Sequence, residues 1–291
     1  MSGTARGTST RIVRTRAELR DALASVVRPL GLVPTMGWLH DGHRSLIARA
    51  RADNATTIAS IFVNPRQFNE AADYRRYPRN EARDLAICEE EGLDLVFLPG
   101  VEEIYPSGFD TTVSVGTVAR PLEGAARPGH FEGVATVVAI LFNLVGAERA
   151  YFGQKDAQQV MVIRQMARDL AIPTEVIACP TVREPDGLAL SSRNVHLSPP
   201  ERAAAPVLRR ALLAARERWE AGERSGDALR ATMSTVLAEE PLAIPAYVSV
   251  ADGRTLAELA DVPEAGDAAP ALLSLAVRVG QTRLIDNEIL G

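Results

Sequence analysis

Three short apolar runs, separated by stretches of helical character, constrain the fold of this chain more than any other feature. The runs are LGLVPT at 30–35, TTIASIFVNP at 56–65 and LDLVFLP at 93–99, each closed by a proline. Continuous apolar runs of this length are typical of strands that are buried on both faces of a parallel sheet. Each run therefore predicts one buried strand.

The segments between and after these runs alternate in the same way. GHRSLIARARADN and NEARDLAICEEEG carry apolar residues every three to four positions and have Gly or Asn at their ends, as helices do. The pattern then predicts a helix near 133–147, a strand at 149–153, a helix at 157–170 and a strand at 174–179. Alternating strands and helices predict an α/β fold, a Rossmann-like parallel sheet with helices on both faces.

In the last third of the chain, the alternation of strand and helix patterns ends. The loop CPTVREPDGLALSSRN leads to two long helices rich in Ala, Arg and Glu, at about 199–222 and 226–239. The β-rich stretches PAYVSVAD and LLSLAVRVGQTRLIDNEIL follow, separated by DVPEAGDAAP, which is predicted to be a surface loop. We therefore expect a catalytic domain at 1–181 and a smaller C-terminal α+β domain at 182–291.

The charge and the cysteine content limit the partners and the compartment. A net charge of −5 and a pI near 5.5 argue against a general nucleic-acid or membrane-surface binder, so a small-molecule partner is expected. The first twenty residues lack the apolar core of a secretory signal and are predicted to be a short tail leading into structure. Cys88 and Cys179 have no metal-ligand spacing, and a cytoplasmic location is expected.

The turn after the first predicted strand, PTMGWLHDGH at 34–43, contains His40 and His43. It is expected at the carboxyl edge of the sheet, where open α/β folds bind their ligands. Free N–H groups at a helix start favour phosphate, and Gly37 and Gly42 permit close approach of the backbone. A single histidine here could simply cap the helix, but two of the chain's four histidines fall in this turn. The turn is therefore predicted to bind phosphate.

Two further segments combine polar and apolar groups, and each has a structural alternative. FVNPRQF at 62–68 places Asn64 and Gln67 beside phenylalanines, which suits a small hydroxy acid with an apolar body. The alternative is an Asn-Pro turn with a solvent-facing glutamine. RPGHF places Arg127 and His130 on a loop before a buried helix, and the alternative is an ordinary helix entry with a solvated arginine.

The chain contains one lysine, Lys155, in FGQKDAQQ at the end of another predicted strand. Ser191, Ser192 and Arg193 offer hydroxyl and guanidinium donors that suit polyphosphate oxygens. An ammonium is a compact point charge that can follow a phosphoryl group, whereas an arginine fork needs matched planar acceptors. A general preference for arginine explains why lysine is scarce, but it does not explain where the one lysine lies.

Seven segments together resemble the pantoate–β-alanine ligase family, part of the H-x-G-H nucleotidylyl transferase superfamily. They occur in the family's order and approximate spacing, and they are VPTMGWLHDGH, SIFVNPRQF, DYRRYPR, RPGHFEGVATVV, YFGQKDAQQ, REPDGLALSSRN and VRVGQTRLIDN. The resemblance implies a homodimer whose smaller domain closes over ATP. It also implies a two-step reaction in which pantoate attacks the α-phosphorus of Mg-ATP, and β-alanine then attacks the resulting pantoyl adenylate to release AMP and pantothenate.

The resemblance also implies the site residues. The implied catalytic residues are His43 as proton donor, His40, Lys155 and Arg193. The implied ATP contacts are Met36, Gly37, Trp38, Leu39, His40, Asp41, Gly42, His43, Gly153, Gln154, Lys155, Asp156, Val182, Leu190, Ser191, Ser192 and Arg193. Gln67 is expected to bind pantoate and then β-alanine, Gln159 to bind pantoate, and Asp84 to be a magnesium ligand. Further substrate contacts are expected from Asn64, Tyr77, Arg127 and His130.

Four positions depart from the usual family pattern, and two other functions remain open. Gln154 stands where glutamate is common, Leu190 where methionine is usual, Gln281 where lysine is frequent and Trp38 where a smaller residue is frequent. None of these changes removes a charge from the expected reacting centre. The alternatives are an H-x-G-H adenylyltransferase that stops after nucleotidyl transfer and a non-catalytic nucleotide-binding regulator.

Overall fold

The computed structural model describes residues 9–264, 266 and 270–291. The predicted N-terminal tail and the predicted loop at 261–270 therefore lie partly outside the described residues. The strands are β1 (Arg11–Val13), β2 (Leu30–Thr35), β3 (Thr56–Ile61), β4 (Leu95–Phe97), β5 (Arg149–Gly153), β6 (Glu175–Cys179), β7 (Ala243–Asp252), β8 (Ala271–Val279) and β9 (Thr282–Leu290).

The helices alternate with the strands in the first part of the chain and precede the strands in the last third. They are α1 (Arg16–Leu23), α2 (Asp41–Asp53), α3 (Ala71–Arg76), α4 (Glu81–Glu90), α5 (Val101–Ile104), α6 (Glu123–Ala126), α7 (His130–Val145), α8 (Ala157–Asp169), α9 (Pro199–Ala204), α10 (Val207–Glu220) and α11 (Gly226–Ala238). Short 3₁₀ turns lie at Pro65–Gln67, Thr117–Ala119, Gln154–Asp156 and Ser192–His196.

Among the described residues, six strands form a parallel sheet in the order β1-β4-β3-β2-β5-β6. The chain winds outward from β2 through β3 to β4, and β5 and β6 then continue on the other side of β2. The order reverses between β2 and β5, which pair at Gly31–Arg149 and Leu32–Ala150. A crevice for ligands opens at such a reversal, outside the carboxyl ends of the strands.

Neighbouring residues on each central strand pack into two different cores, one on each face of the sheet. Leu32 and Ile58 lie in a core with α1, α7 and α8, whereas Val33 and Ala59 lie in a core with α2 and α4. Side chains alternate between the faces of a strand, so both faces are buried under helices. The predicted parallel sheet with helices on both faces is confirmed.

The last third forms an antiparallel sheet in the order β7-β8-β9, covered on one face by α10 and α11. Alternate residues of β8, such as Leu273 and Leu275, are fully buried in the same core as Leu208 and Leu212 of α10. This arrangement confirms the predicted smaller α+β part. Its β8–β9 hairpin is paired continuously from Ala271–Leu290 to Val279–Thr282.

Contacts between residues divide the described chain into two compact units. The first contains residues up to 119, 123–154 and 158–180, and the second contains 120–122, 155–157 and the chain from 181 onward. The turn that carries Lys155 therefore packs with the second unit. The division of tasks between domains at 1–181 and 182–291 stays a prediction.

The structure corrects several expected boundaries. Residues 11–13, expected in a tail, form β1 and pair in parallel with β4; a three-residue strand is too short to show a period in the sequence. The helix expected at 199–222 is interrupted at Pro206, which has no N–H to continue the helical ladder. Helix α7 starts at His130, three residues earlier than the apolar pattern suggests.

Both cysteines are free and buried, and burial raises the pKa of the Cys88 thiol to about 12. Cys88 packs in the core under α4 and thus behaves as a small apolar residue. Within the described ranges, no helix is long and apolar enough to cross a membrane.

Helix α7 lies so close to the Pro65–Gln67 turn that only glycine fits at position 133. A Cβ on Gly133 would lie 2.3 Å from the carbonyl oxygen of Arg66 and 2.7 Å from the Gln67 nitrogen. Backbone atoms cannot yield as a flexible side chain does. The absence of a side chain at 133 therefore sets the distance between α7 and the turn.

We expect Gly133→Ala to lower the free energy of unfolding by about 1–3 kcal/mol, because the added methyl group forces the turn and the helix apart. Denaturant unfolding measures this change. Gly116→Ala is the matched control, since a Cβ there meets nothing within 4 Å. A Gly133→Ala protein as stable as the parent would show that the contact is not tight.

Candidate active site

The turn after β2 reverses the chain through two left-handed residues, Gly37 at φ 82° and Trp38 at φ 52°. Glycine adopts this conformation freely, whereas a tryptophan is strained there by roughly 1 kcal/mol or more. The Thr35 hydroxyl supports the turn, because it accepts the Gly37 N–H at 3.2 Å and donates to the Ser60 carbonyl at 2.9 Å. The strained conformation therefore needs further support from other parts of the chain.

Asp84 of α4 supplies that support. Its two carboxylate oxygens accept the backbone N–H groups of Trp38 and Leu39, both at 2.8 Å. Asp84 is 2% exposed, and a Cβ on Gly37 would lie 2.9 Å from its Oδ2. The Arg83 guanidinium lies 5.0 Å from the Trp38 ring and 3.6 Å from the Asp84 carboxylate. The carboxylate thus holds the turn by two charge-assisted hydrogen bonds.

This arrangement bears on two expectations. Each Asp84 oxygen accepts one backbone N–H group, and a role of Asp84 as a magnesium ligand stays a prediction. Across the described ranges, no group of three or more His, Cys, Asp or Glu residues gathers to hold a metal. The N–H groups of Trp38 and Leu39 donate to Asp84, so they are occupied by a protein anion and not presented to phosphate.

The two histidines of the turn cap α2 together. His40 Nδ1 accepts the Gly42 N–H at 3.1 Å, and His43 Nδ1 accepts the His40 N–H at 3.3 Å. The ring centroids are 4.2 Å apart. A nitrogen that accepts a hydrogen bond carries no proton, so we assign the proton of each neutral ring to Nε2. The two rings therefore carry their N–H groups on the side away from the backbone they cap.

The expectation of free N–H groups at the start of α2 is wrong for most of its first turn. Gly42 donates to the His40 ring, while His43 and Arg44 donate to the His40 carbonyl at 2.7 and 3.0 Å. The reason is that His40 acts as the N-cap residue and satisfies these donors itself. Any phosphate binding at this turn must therefore rely mainly on side chains.

The Asn64 side chain is wholly used inside the protein. Its Nδ2 donates to Gln67 Oε1 and the Gly133 carbonyl, each at 3.0 Å, and its Oδ1 accepts from the Arg66 N–H and the Tyr105 hydroxyl. An amide has two donors and two acceptor sites, so none is left over. These bonds give Asn64 a role in holding the Pro65–Gln67 turn, and its expected contact with substrate stays a prediction.

The Tyr105 hydroxyl is a dependable donor to Asn64, because burial raises the pKa of Tyr105 to about 12. The hydroxyl lies 2.8 Å from Asn64 Oδ1 and keeps its proton at any physiological pH. This contact secures the orientation of the Asn64 amide.

Gln67 is buried at 8% exposure, which rules out the alternative of a solvent-facing glutamine. Its Nε2 donates to the Met36 sulfur at 3.1 Å. A thioether is a weak acceptor, so this donor can be turned to a stronger acceptor at little cost. Gln67 and Met36, both expected at the site, are therefore in contact. The Gln67 Nε2 group can exchange this weak acceptor for a ligand.

Arg127 and His130 hold the backbone of Gln67. The Gln67 carbonyl accepts from His130 Nδ1 at 2.9 Å and from the Arg127 guanidinium at 3.2 Å, and His130 Nε2 lies 3.1 Å from Arg127. A carbonyl only accepts and a guanidinium only donates, so His130 is the neutral Nδ1–H tautomer. His130 lies at the start of α7, not on the expected preceding loop, because the helix begins there.

Other predicted residues of the first unit lie as follows. Tyr77 is buried with its ring edge-on to Phe68 at 5.7 Å, next to the Gln67 turn. Gln159 is half-buried on α8, whereas its neighbour Gln158 is buried and bonded to Val118 and Glu123. Gly153 ends β5.

In the second unit, Lys155 lies in the Gln154–Asp156 turn with its side chain 15% exposed. Its ammonium is 3.8 Å from the Asp156 carboxylate, and its carbonyl accepts Asn287 Nδ2 at 2.8 Å. The pattern of FGQKDAQQ indicated Lys155 correctly as a strand-end residue, but nothing in it indicated the distant partner Asn287. The two residues are 132 positions apart in the sequence, so only the folded structure shows their contact.

The segment Leu190–Arg193 also folds within the second unit. The Leu190 N–H donates to the Val182 carbonyl at 3.0 Å, and the Ser191 hydroxyl accepts the Arg193 N–H at 3.3 Å. Ser192 is buried and begins the 3₁₀ turn that follows. The predicted residues Val182 and Leu190 to Arg193 are thus brought together.

A doubly wound parallel sheet with a paired-histidine turn after its central strand defines a class of enzyme. These features are those of the H-x-G-H nucleotidylyl transferases, which act on the phosphates of a nucleoside triphosphate. The comparisons with known proteins narrow the class further.

The pantoate-β-alanine ligase family model matches residues 11–289. Pantothenate synthetase of Roseiflexus castenholzii is 60% identical over 280 residues, which cover 96% of this chain and 99% of the relative. The crystal structure of pantothenate synthetase from Thermus thermophilus has a TM-score of 0.90 at 50% identity and covers 96% of this chain and 99% of that one. A Francisella tularensis pantoate-β-alanine ligase complexed with β-γ ATP and β-alanine has a TM-score of 0.78 at 33% identity, covering 97% and 98%.

The chain belongs to the pantoate–β-alanine ligase family. It is an ATP-dependent enzyme that joins pantoate to β-alanine through a pantoyl adenylate and releases AMP and pyrophosphate. A full-length match at this identity does not favour a simple adenylyltransferase or a non-catalytic regulator.

We expect Asp84→Asn to lower the free energy of unfolding by about 1–3 kcal/mol, because the amide NH₂ faces a backbone N–H that then lacks an acceptor. Denaturant unfolding measures the loss, and Glu89→Gln on the exposed face of the same helix is the matched control. Equal stability of the two variants would contradict the role of Asp84 in holding the turn.

Proposed function

We propose that the histidine turn and the Lys155 turn act on the ATP phosphates during the first step of the ligase reaction. The observation that supports this most directly is the capping geometry of the histidine pair. Both Nδ1 atoms accept backbone N–H groups, which assigns the ring protons of His40 and His43 to Nε2 and fixes the direction of each ring. His43 is the proposed proton donor, and His40 is its phosphate-binding partner.

Charge neutralisation is the main demand of the chemistry. The pantoate carboxylate attacks the α-phosphorus of a triphosphate, and the two anions repel each other until positive groups offset the charge. We assign this task to Lys155 and Arg193, with further donors from Ser191 and Ser192. An ammonium can follow the departing pyrophosphate as a compact charge, whereas a guanidinium favours fixed planar acceptors.

Among the described residues, no group of three or more His, Cys, Asp or Glu side chains gathers to hold a metal ion. Mg²⁺ commonly binds through substrate phosphates and waters, with few protein ligands. We therefore propose that it enters with ATP, and the protein groups named above bind the remaining phosphate oxygens.

We propose that Gln67 binds pantoate and then β-alanine, with Gln159 on pantoate. The support is that the Gln67 backbone is fixed by His130 and Arg127 while its side-chain donor rests on a weak sulfur acceptor. The carboxamide can thus turn to a carboxylate without disturbing the turn that carries it. The related Francisella tularensis structure is complexed with β-γ ATP and β-alanine, which supports binding of the same two ligands by this chain.

Three broader expectations stay predictions: that the second unit closes over ATP, that the chain forms a homodimer, and that it acts in the cytoplasm. Closure would serve the chemistry, because water that reaches the acyl adenylate hydrolyses it.

The test of the first step is the exchange of labelled pyrophosphate into ATP, run with and without D-pantoate. We expect exchange only with pantoate, and formation of AMP and pantothenate once β-alanine is added. Pantoate-independent exchange, or no exchange at saturating Mg-ATP and pantoate, would contradict the proposed step.

We expect Lys155→Ala to lower the exchange rate about 10²- to 10³-fold while the fold survives, because its charge acts in the transition state. Lys155→Arg is expected to recover little of the rate if a compact charge is required. Arg168→Ala is the control, since this arginine is 72% exposed on α8. Exchange near the parent rate in Lys155→Ala would show that the ammonium has another role.

A further inference from the structure

The side chains of two adjacent residues of β9, Asp286 and Asn287, contact two different segments that carry proposed ATP ligands. They lie in VRVGQTRLIDN, a segment with no role in the reaction as described above. Asp286 is 3% exposed and Asn287 is 5% exposed. Polar side chains buried to this degree are normally held by specific partners.

Asp286 forms a buried ion pair with Arg183. The Arg183 guanidinium meets both carboxylate oxygens, at 2.6 and 2.9 Å, and also donates to the Gly187 carbonyl at 3.1 Å. Arg183 and Ala189 are bridged, so they form the base of the loop that leads to Leu190. A two-pronged ion pair fixes direction as well as distance. Asp286 thus orients the loop whose end carries Ser191 to Arg193.

Asn287 holds the other segment. Its Nδ2 donates to the carbonyl oxygen of Lys155 at 2.8 Å. The bond is to the main chain of the lysine, so the ammonium is left for other partners. The 3₁₀ turn around Lys155 is only three residues long, so a hydrogen bond from outside the turn helps to fix its main chain. Asn287 therefore holds the backbone from which the only lysine side chain projects.

The strand that carries both residues is well suited to set a distance. β9 pairs with β8 without interruption over nine positions, from Ala271–Leu290 to Val279–Thr282. Successive side chains of a strand point to opposite faces. Asp286 and Asn287 therefore point in opposite directions from neighbouring positions of β9, and each contacts its own segment. Sites built on regular elements are more precise than sites that depend on loops alone.

We propose that Asp286 and Asn287 are positioning residues for the adenylation step, which hold the Lys155 ammonium and the Ser191–Arg193 donors at a fixed separation. The inference rests on the proposed function of those two segments. Neither residue is a catalytic residue, because each acts through another group. A displacement of about 1 Å at a reacting charge can lower a rate about 100-fold.

The two half-reactions depend differently on the triphosphate. The triphosphate takes part in adenylation, whereas the attack of β-alanine on pantoyl adenylate involves no pyrophosphate group. Loss of positioning should therefore slow adenylation and leave the second half-reaction intact. A residue that only stabilises the fold would affect both.

We test this with Asn287→Asp, which keeps the shape but replaces the donor by a carboxylate that repels the Lys155 carbonyl. Pyrophosphate exchange should fall at least about tenfold with a raised KM for ATP. Conversion of isolated pantoyl adenylate and β-alanine to pantothenate should stay within about twofold of the parent. Asn287→Leu, apolar and of similar size, should show the same split without introducing a charge.

Ser274→Ala is the matched control. Ser274 lies directly opposite Asn287 on β8, and its buried hydroxyl has no hydrogen-bond partner among the described residues. Both half-reactions should be unchanged in this variant. Asp286→Asn should show the same split as the Asn287 variants, and thermal unfolding of each protein reports whether the fold survives.

A double variant separates failure of this inference from failure of the proposed function. If Asn287 acts through Lys155, then Lys155→Ala with Asn287→Asp loses no more exchange than Lys155→Ala alone. Multiplied losses, equal losses in both half-reactions, or unchanged exchange in Asn287→Asp would overturn the inference. Unchanged exchange in Lys155→Ala would overturn the proposed function itself.

Discussion

Two hydrogen bonds from consecutive backbone N–H groups to one buried carboxylate support the rest of the site. Asp84 receives the N–H groups of Trp38 and Leu39 where the chain passes through two left-handed residues. Without an anion there, these donors would be buried and the turn would relax toward an unstrained path. The direction of the turn decides where α2 begins, and the start of α2 decides how the His40 and His43 rings face. An acidic side chain on a neighbouring helix therefore orients two basic ones.

At two positions of the proposed site, the backbone of a residue is held by the protein while its side chain keeps other partners. His130 and Arg127 hold the Gln67 carbonyl while the Gln67 carboxamide rests on sulfur, and Asn287 holds the Lys155 carbonyl while the ammonium faces other groups. Fixing the main chain beforehand lowers the entropy that is lost on binding, and the polar end of the side chain can still change partner. This arrangement suits the role proposed for Gln67, whose carboxamide would bind pantoate and later β-alanine.

The sequence predicted the parallel sheet and the location of the paired histidines because both depend on local signals. Strand runs are continuous and apolar, and the histidine turn lies just after a proline-closed strand. The contacts that support the site could not be predicted in the same way. Asp84, Asn64 and Asn287 each form a supporting hydrogen bond to a residue 45 to 132 positions away in the sequence. The Asn64 amide also has partners on several different elements. No local sequence pattern encodes such contacts. The helix-start N–H groups were misjudged because a histidine rarely serves as an N-cap.

The composition of the chain gives the Lys155 turn an unusual analytical property. Lys155 is the only lysine in the chain. Lysine isotope labelling or amine-directed chemistry therefore reports on a single side chain within the folded part of the molecule. Its main chain is anchored and its side chain is 15% exposed, so the reagent samples one defined environment and not an average over a surface. A feature that arose from a preference for arginine thus supplies a natural spectroscopic probe at the position where the chemistry is proposed to occur.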